Sequence, residues 1–189
     1  MTSPDTHAKQ SVHFSKISIS LHWLMLVLIV AVYATAELKG LFPKGGDFRQ
    51  ALKPLHSGLG LSILILVTVR IAYNAFQSTP PIVPSPPEWQ RLSGKLMHYL
   101  LYVFMIAVPV LGWLMLSAKG KPIPFFGLEL PALVGANRVL GKRLENLHET
   151  FAQAGYFLIG LHAIAALFHH YIVSDNTLER MLPGLGKRK

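Results

Sequence analysis

The stretch that decides the fold is residues 148–173, HETFAQAGYFLIGLHAIAALFHHYIV. Its only acidic side chain stands at its start, and the rest is apolar enough to cross a bilayer, which takes about 20 residues. His148, Gly155, His162 and His169 recur every seven residues. Seven residues of an α-helix nearly complete two turns. These four residues therefore share one face of a predicted transmembrane helix.

Three further apolar runs precede this one, at about residues 17–36, 55–76 and 96–117. Arg70 interrupts the second run, and Pro109 predicts a kink in the third. None of the runs alternates with a period of two, which argues against a barrel. The first run contains Ala34-Thr35-Ala36, the form of a signal-peptidase site, but it is about twice as long as the apolar region of a signal peptide. We therefore predict an all-α integral membrane protein, with residues 1–189 forming one four-helix bundle.

Three connections join the predicted helices. Residues 37–54 are short and basic, residues 77–95 are rich in proline and predict an extended segment, and residues 118–147 form the longest connection. The last contains apolar pieces such as residues 124–127, PFFG, and is expected to lie along the membrane surface. The sequence predicts no extramembrane domain.

The composition supports a membrane protein and narrows its chemistry. Hydrophobic residues make up 51% of the chain and charged residues 14%, against about 25% charged residues in soluble domains. The net charge is +9, and the excess cationic side chains are expected to interact with lipid headgroups or anionic partners rather than with nucleic acid. The chain has no cysteine, which excludes disulfides, cysteine-bound iron–sulfur clusters and covalently attached c-type haem.

Four helices place both termini on one side of the membrane, called side A; the opposite side is side B. Each side carries nine of the cationic residues, so the positive-inside rule does not orient the chain. The side A cations are Lys9, Lys16, Arg70, Arg91, Lys95, Arg180, Lys187, Arg188 and Lys189. The side B cations are Lys39, Lys44, Arg49, Lys53, Lys119, Lys121, Arg138, Lys142 and Arg143.

The intramembrane histidines pair by depth. His56 and His148 both lie towards side B, whereas His162 lies towards side A with either His22 or His98 as its partner; periodicity does not choose between those two. Neutral imidazole binds iron well, and His148 and His162 are about 21 Å apart along a helix. This separation suits two haems stacked across the membrane, with Gly155 between them where a side chain would crowd the rings.

Arg70 lies fourteen residues after His56 on nearly the same face and is well placed to pair with haem propionates near side A.

Single intramembrane histidines can also be buried hydrogen-bonding groups or proton relays. A metal transporter would require carboxylates or thiolates as well, and the helices offer almost none. His7 and His13 are predicted to be solvated tail residues.

Several motifs resemble those of the bacterial cytochrome b561 family. They are residues 20–23 (SLHW), 56–58 (HSG), 148–150 (HET), 160–162 (GLH), 169–171 (HHY) and 175–178 (DNTL), and the resemblance covers residues 17–180. It implies a four-helix cytochrome with two b haems in the bacterial inner membrane and both termini in the cytoplasm. It also implies His22 with His162 as ligands of the cytoplasmic-side haem and His56 with His148 as ligands of the periplasmic-side haem.

The resemblance further implies an oxidoreductase of the superoxide:ubiquinone type. We expect the side B cations either to attract superoxide or to bind lipid headgroups. His169 is expected to hydrogen-bond a quinone oxygen and pass it a proton. The alternative function is a haem b membrane anchor for a separate dehydrogenase, a subunit that would co-purify with a soluble partner. A haem-free transporter or scaffold would purify without colour.

Overall fold

The computed structural model describes residues 13–182 and contains four long helices. They are α1 (Lys16–Leu41), α2 (Asp47–Ala75), α3 (Glu88–Ala118) and α4 (Arg138–Phe168), and α4 continues into a π-helical turn, His169–Val173. All four helices are long and apolar enough to cross a membrane. The predicted all-α four-helix bundle is thus confirmed.

The helices are longer than the apolar runs that predicted them. α2, α3 and α4 each begin more than two turns before the corresponding run. Hydropathy detects only the part of a helix that lies in lipid, whereas capping residues set its true ends. Ser15 caps α1 by accepting a hydrogen bond from the Ser18 amide at 3.2 Å, and Asn137 caps α4 by accepting one from the Leu140 amide at 3.0 Å.

The bundle consists of two helix pairs. α1 packs on α2, α3 packs on α4, and α2 joins the pairs by packing on α3. Among the described residues, no Cα atom of α4 lies within 8 Å of a Cα atom of α1 or α2. The buried apolar core accordingly comes from the first three helices, and its members are Met25, Ile63, Val67 and Met105. The backbone of α4 is therefore farther from α1 and α2 than directly packed helices are, and side chains bridge the gap.

The connection from α3 to α4 folds back onto the bundle. Strands β1 (Ile123–Phe125) and β2 (Leu128–Leu130) form an antiparallel hairpin whose turn contains Phe126, at a φ of 46°, and Gly127. The Phe126 ring lies against Gly58 of α2. The Trp113 indole donates a hydrogen bond to the Pro131 carbonyl at 3.0 Å, which holds the connection to α3.

Residues 174–182, called the C-terminal cap, close side A. The Phe14 amide donates to the Arg180 carbonyl at 3.2 Å, and the Trp23 indole donates to the Met181 carbonyl at 3.0 Å. His13 also donates from Nδ1 to the Glu179 carbonyl at 3.1 Å. His13 is exposed, as predicted, although the cap that folds back onto the start of α1 also gives it this partner; His7 lies outside the described residues.

Candidate functional site

The histidine pair nearer side B joins α2 to α4. The ring centroids of His56 and His148 are 6.2 Å apart, and their planes are nearly perpendicular, at 78°. The two helices that carry these residues do not pack directly on each other. The two imidazoles therefore face each other across the interior of the bundle.

In each of these two rings, the Nδ1 atom is hydrogen-bonded to a backbone carbonyl. His56 donates from Nδ1 to the Val32 carbonyl at 3.1 Å, with the Thr35 hydroxyl oxygen 3.0 Å from the same nitrogen. His148 donates from Nδ1 to the Val108 carbonyl at 2.9 Å. Because a carbonyl only accepts, the neutral rings carry their protons on Nδ1 and keep the Nε2 lone pairs for a metal. Partners of this kind are typical of metal-binding histidines.

Gly112 of α3 allows His148 to approach. A Cβ atom at residue 112 would lie 3.2 Å from Cε1 of the His148 ring, closer than ordinary van der Waals contact. The missing side chain therefore lets the imidazole reach the Val108 carbonyl one turn earlier on α3.

The second histidine pair lies towards side A and joins α1 to α4. The ring centroids of His22 and His162 are 6.3 Å apart, with an angle of 67° between their planes. The Trp23 ring lies edge-on to His22 at 5.5 Å and is fixed by its hydrogen bond to the C-terminal cap. The two pairs are fourteen residues apart on α4, which corresponds to about 21 Å along the helix.

Both spacings fit two imidazoles on opposite sides of one iron. A metal lies about 2.0–2.1 Å from an imidazole nitrogen, and the ring centre about 1.1 Å further, which gives centroids about 6.3 Å apart. The measured distances are 6.2 Å for the side B pair and 6.3 Å for the side A pair. The residues present therefore fit bis-histidine haem iron at two depths.

His98 also lies beside His162, but with a different spacing. Its ring centroid is 5.3 Å from that of His162, about 1 Å less than two imidazoles across an iron require. The His98 ring also donates from Nδ1 to the Gly94 carbonyl of its own helix at 2.7 Å. The geometry therefore favours His22 over His98 as the partner of His162.

Arg70 lies near the side A pair and is 6% exposed. Its guanidinium donates to the Ser18 carbonyl at 2.7 Å, and it is close enough to His22 and His162 to act on both electrostatically. A buried cation beside these rings is a suitable partner for the carboxylates of a haem.

The heptad residue Gly155 lies between the two histidine pairs on α4, where side chains of two other helices pack against it. A Cβ atom there would collide with the end of the Phe104 ring and with the Tyr33 hydroxyl. The Tyr33 hydroxyl donates to the Ala152 carbonyl at 2.5 Å, and Tyr156 donates to the Glu37 carboxylate at 2.7 Å. Protein side chains therefore crowd this position, and whether a haem also lies beside it stays a prediction.

His169 lies one heptad beyond His162, in the π-helical turn, and contacts Asp175, the first residue of the DNTL motif, to which the sequence assigned no role in the site. Its Nδ1 donates to Asp175 Oδ2 at 2.6 Å, and Asp175 is fully buried. Burial alone would raise the pKa of Asp175, but hydrogen bonds from His169 and Thr177 outweigh it and hold the pKa below its ordinary value. Asp175 is therefore ionised at neutral pH.

The fold and the two histidine pairs define a membrane cytochrome, in which helices hold b-type haem between them. The chain belongs to the prokaryotic cytochrome b561 family, whose model matches residues 13–184. It is accordingly a membrane electron-transfer protein, and membership implies b-type haem.

The relatives that match nearly the whole chain include the following three. Cytochrome b561 homolog 1 of Escherichia coli (strain K12) is 42% identical over 170 residues, covering 90% of this chain and 97% of the relative. A protein of Yersinia pestis named "Probable superoxide oxidase CybB" is 38% identical over 170 residues, covering 90% and 96%. Cytochrome b561 homolog 2 of the same Escherichia coli strain is 27% identical over 170 residues, covering 89% and 90%.

Proposed function

We propose that this protein carries electrons across the bacterial inner membrane, from a one-electron donor in the periplasm to ubiquinone. His56 and His148 hold one b haem, and His22 and His162 hold a second. The observation that carries the proposal is the spacing of 6.2 and 6.3 Å within the two pairs. Ligands at two depths allow electrons to cross most of the membrane in short steps.

The bound haems supply one-electron redox chemistry, and the protein tunes it. The Val32 and Val108 carbonyls fix the proton on Nδ1 of His56 and His148, which keeps Nε2 directed at iron and raises its basicity. Arg70 offsets the charge of haem propionates on side A. This arrangement requires no nucleophile.

The experiment that tests the proposal is an optical spectrum of the detergent-purified protein, before and after reduction with dithionite, with a pyridine haemochromogen assay. We expect sharp b-type bands and about two haems per chain. One haem would remove one of the two ligand pairs from the proposal, and a colourless protein would overturn it. Co-purification with a soluble dehydrogenase, together with no reaction of the isolated protein, would favour the anchor function.

The name of the Yersinia pestis relative supports superoxide as the donor. We place side A, with both termini, in the cytoplasm and side B in the periplasm.

Some side B cations already have local partners: Lys119 and Lys142 pair with Glu145, and Arg49 donates to two backbone carbonyls. Other cations on this side are exposed, namely Lys44, Lys121, Arg138 and Arg143. These exposed charges would attract an anionic donor.

We predict that the rate of quinone reduction by superoxide falls as ionic strength rises, because salt screens attraction between exposed charges. Stopped-flow measurements over a series of salt concentrations would test this. An uncharged reductant is the control and should show little salt dependence. A superoxide rate that does not change with salt would assign the exposed cations to lipid headgroups instead.

His169 is the proposed proton donor to ubiquinone, because it lies near the side A end of α4 beyond the His162 ligand. We expect His169→Ala to lower quinone reduction by about 100-fold or more, the usual contribution of a general acid, while haem content stays at the wild-type value. Steady-state quinone kinetics and a haemochromogen assay would show this. Unchanged quinone kinetics would remove His169 from the site.

A further inference from the structure

The C-terminal cap brings a buried carboxylate to His169. Ser174, at a φ of 60° and ψ of 36°, turns the chain sharply after the π-helical turn. The next residue, Asp175, reaches back so that its Oδ2 lies 2.6 Å from Nδ1 of His169. π-Helical turns of this kind often occur at functional sites.

Several hydrogen bonds fix the position of this carboxylate. The Thr177 amide donates to Oδ1 at 2.8 Å, and the Asp175 amide donates to the His169 carbonyl at 3.1 Å. Asn176 anchors the cap to the connection between α2 and α3, because its side-chain oxygen accepts from the Val83 amide at 2.8 Å. Asp175 is therefore held rigidly beside His169 and away from water.

We propose that Asp175 is the positioning residue for proton transfer from His169 to the quinone. Its Oδ2 accepts the Nδ1–H of His169, so the proton given to a quinone oxygen must come from Nε2. Its negative charge stabilises the imidazolium form that gives up this proton. The inference rests on the proposed role of His169.

The proton balance of the reaction is simple. Reduction of a quinone to a quinol takes two electrons and two protons, and two superoxide ions supply the electrons by becoming two molecules of oxygen. His169 breaks its Nε2–H bond as an O–H bond forms on the quinone, and it then recovers a proton from water at side A. Asp175 keeps its charge throughout and does not itself transfer the proton.

Other groups near His169 and Asp175 also affect the pH dependence of the proposed proton transfer. From the cap, the Thr177 amide bonds to Asp175, and the buried Arg180 guanidinium is close enough to interact with the carboxylate electrostatically. From the π-helical turn and α4, His169 faces Asp175 and the Phe168 ring. Arg180 weakens the field of Asp175 at His169 but leaves the direct hydrogen bond in place.

The test is the pH profile of quinone reduction by purified haem-loaded Asp175→Asn. Asparagine keeps the size and an acceptor oxygen but removes the charge. We expect kcat at neutral pH to fall by about 10-fold or more, and the rate to decline at a lower pH than in the wild type, because the variant lacks the negative charge beside the ring. KM and haem content should change little. A kcat and pH profile like those of wild type would overturn the inference.

Controls separate this inference from the proposed function. Glu179→Gln removes a charge from the same cap without touching His169 and should leave the profile unchanged. If His169→Ala itself leaves quinone kinetics unchanged, the proposed role of His169 fails, and the inference fails with it; if it slows them and Asp175→Asn does not, only the role of Asp175 fails. Should Asp175→Asn not fold, the wild-type profile decides, because a rate that stays flat between about pH 6 and 9 excludes imidazolium as the proton donor.

Discussion

Replacement of His56 by alanine is expected to leave the purified protein with about one haem per chain instead of two. The His56 and His148 rings are spaced as two ligands of one iron, and removal of either leaves that iron with a single histidine. The His22 and His162 pair lies about 21 Å away along the helix and should keep its haem. The pyridine haemochromogen assay, divided by protein concentration, measures this loss directly.

The proposed ligand assignment also predicts the haem content of other variants in the same haemochromogen assay. His148→Ala should cause the same loss, and the double variant His56→Ala/His148→Ala should lose no more than either single variant, because we propose that both residues hold the same haem. His98→Ala is the matched control on side A, since its ring lies too close to His162 to face it across an iron. It should keep two haems, whereas His22→Ala should keep one. Two haems in His56→Ala, or one in His98→Ala, would contradict the assignment.

Replacement of Gly155 by valine is expected to prevent most of the protein from folding with its haems. A Cβ atom at residue 155 would meet the Phe104 ring and the Tyr33 hydroxyl, which come from two other helices. Even Gly155→Ala should lower the free energy of unfolding by about 1–3 kcal/mol through overpacking. Thermal unfolding followed by loss of haem absorbance would report both effects.

The same helix offers a control for Gly155. A Cβ atom at Gly160 would have no neighbour within 4 Å, so Gly160→Ala should be neutral or stabilise the helix by up to about 1 kcal/mol. Combining Gly155→Ala with Phe104→Leu should recover part of the lost stability, because it shortens the group that collides. If Gly155→Ala were as stable as Gly160→Ala, the close approach at this position would be wrong.

The sequence predicted the four helices and the depth of their histidines because both depend on simple periodicity. Apolar runs of about 20 residues report a membrane span whatever their neighbours are, and the seven-residue spacing places His148, His162 and His169 on one face. Periodicity could not choose between His22 and His98, because these residues lie at similar depth on different helices, and only the family resemblance pointed to His22. The choice depends on a difference of about 1 Å between ring spacings, which only the packing of the helices sets.

Other features of the site depend on contacts between distant parts of the chain. Asp175 follows the last helix and resembles a polar residue of a surface turn until Ser174 and the π-helical turn direct it inwards. The crowding at Gly155 comes from side chains of α1 and α3, which no pattern within α4 reveals. Gly112 was a usable signal, because a glycine inside a transmembrane helix lets a ring from a neighbouring helix approach closely, as His148 does here.

The separation of α4 from α1 and α2 has a consequence for how the protein is made. Its helices emerge from the ribosome as two hairpins, α1 with α2 and α3 with α4. Within residues 13–182, the close backbone packing between the two halves is that of α2 on α3, and side chains such as Tyr33 and Tyr156 link α1 to α4. We therefore expect bound haem to help hold α4 against α1 and α2 in newly inserted chains. Cells starved of iron should accumulate loosely assembled chains that membrane proteases remove, so the abundance of this cytochrome should follow the haem supply.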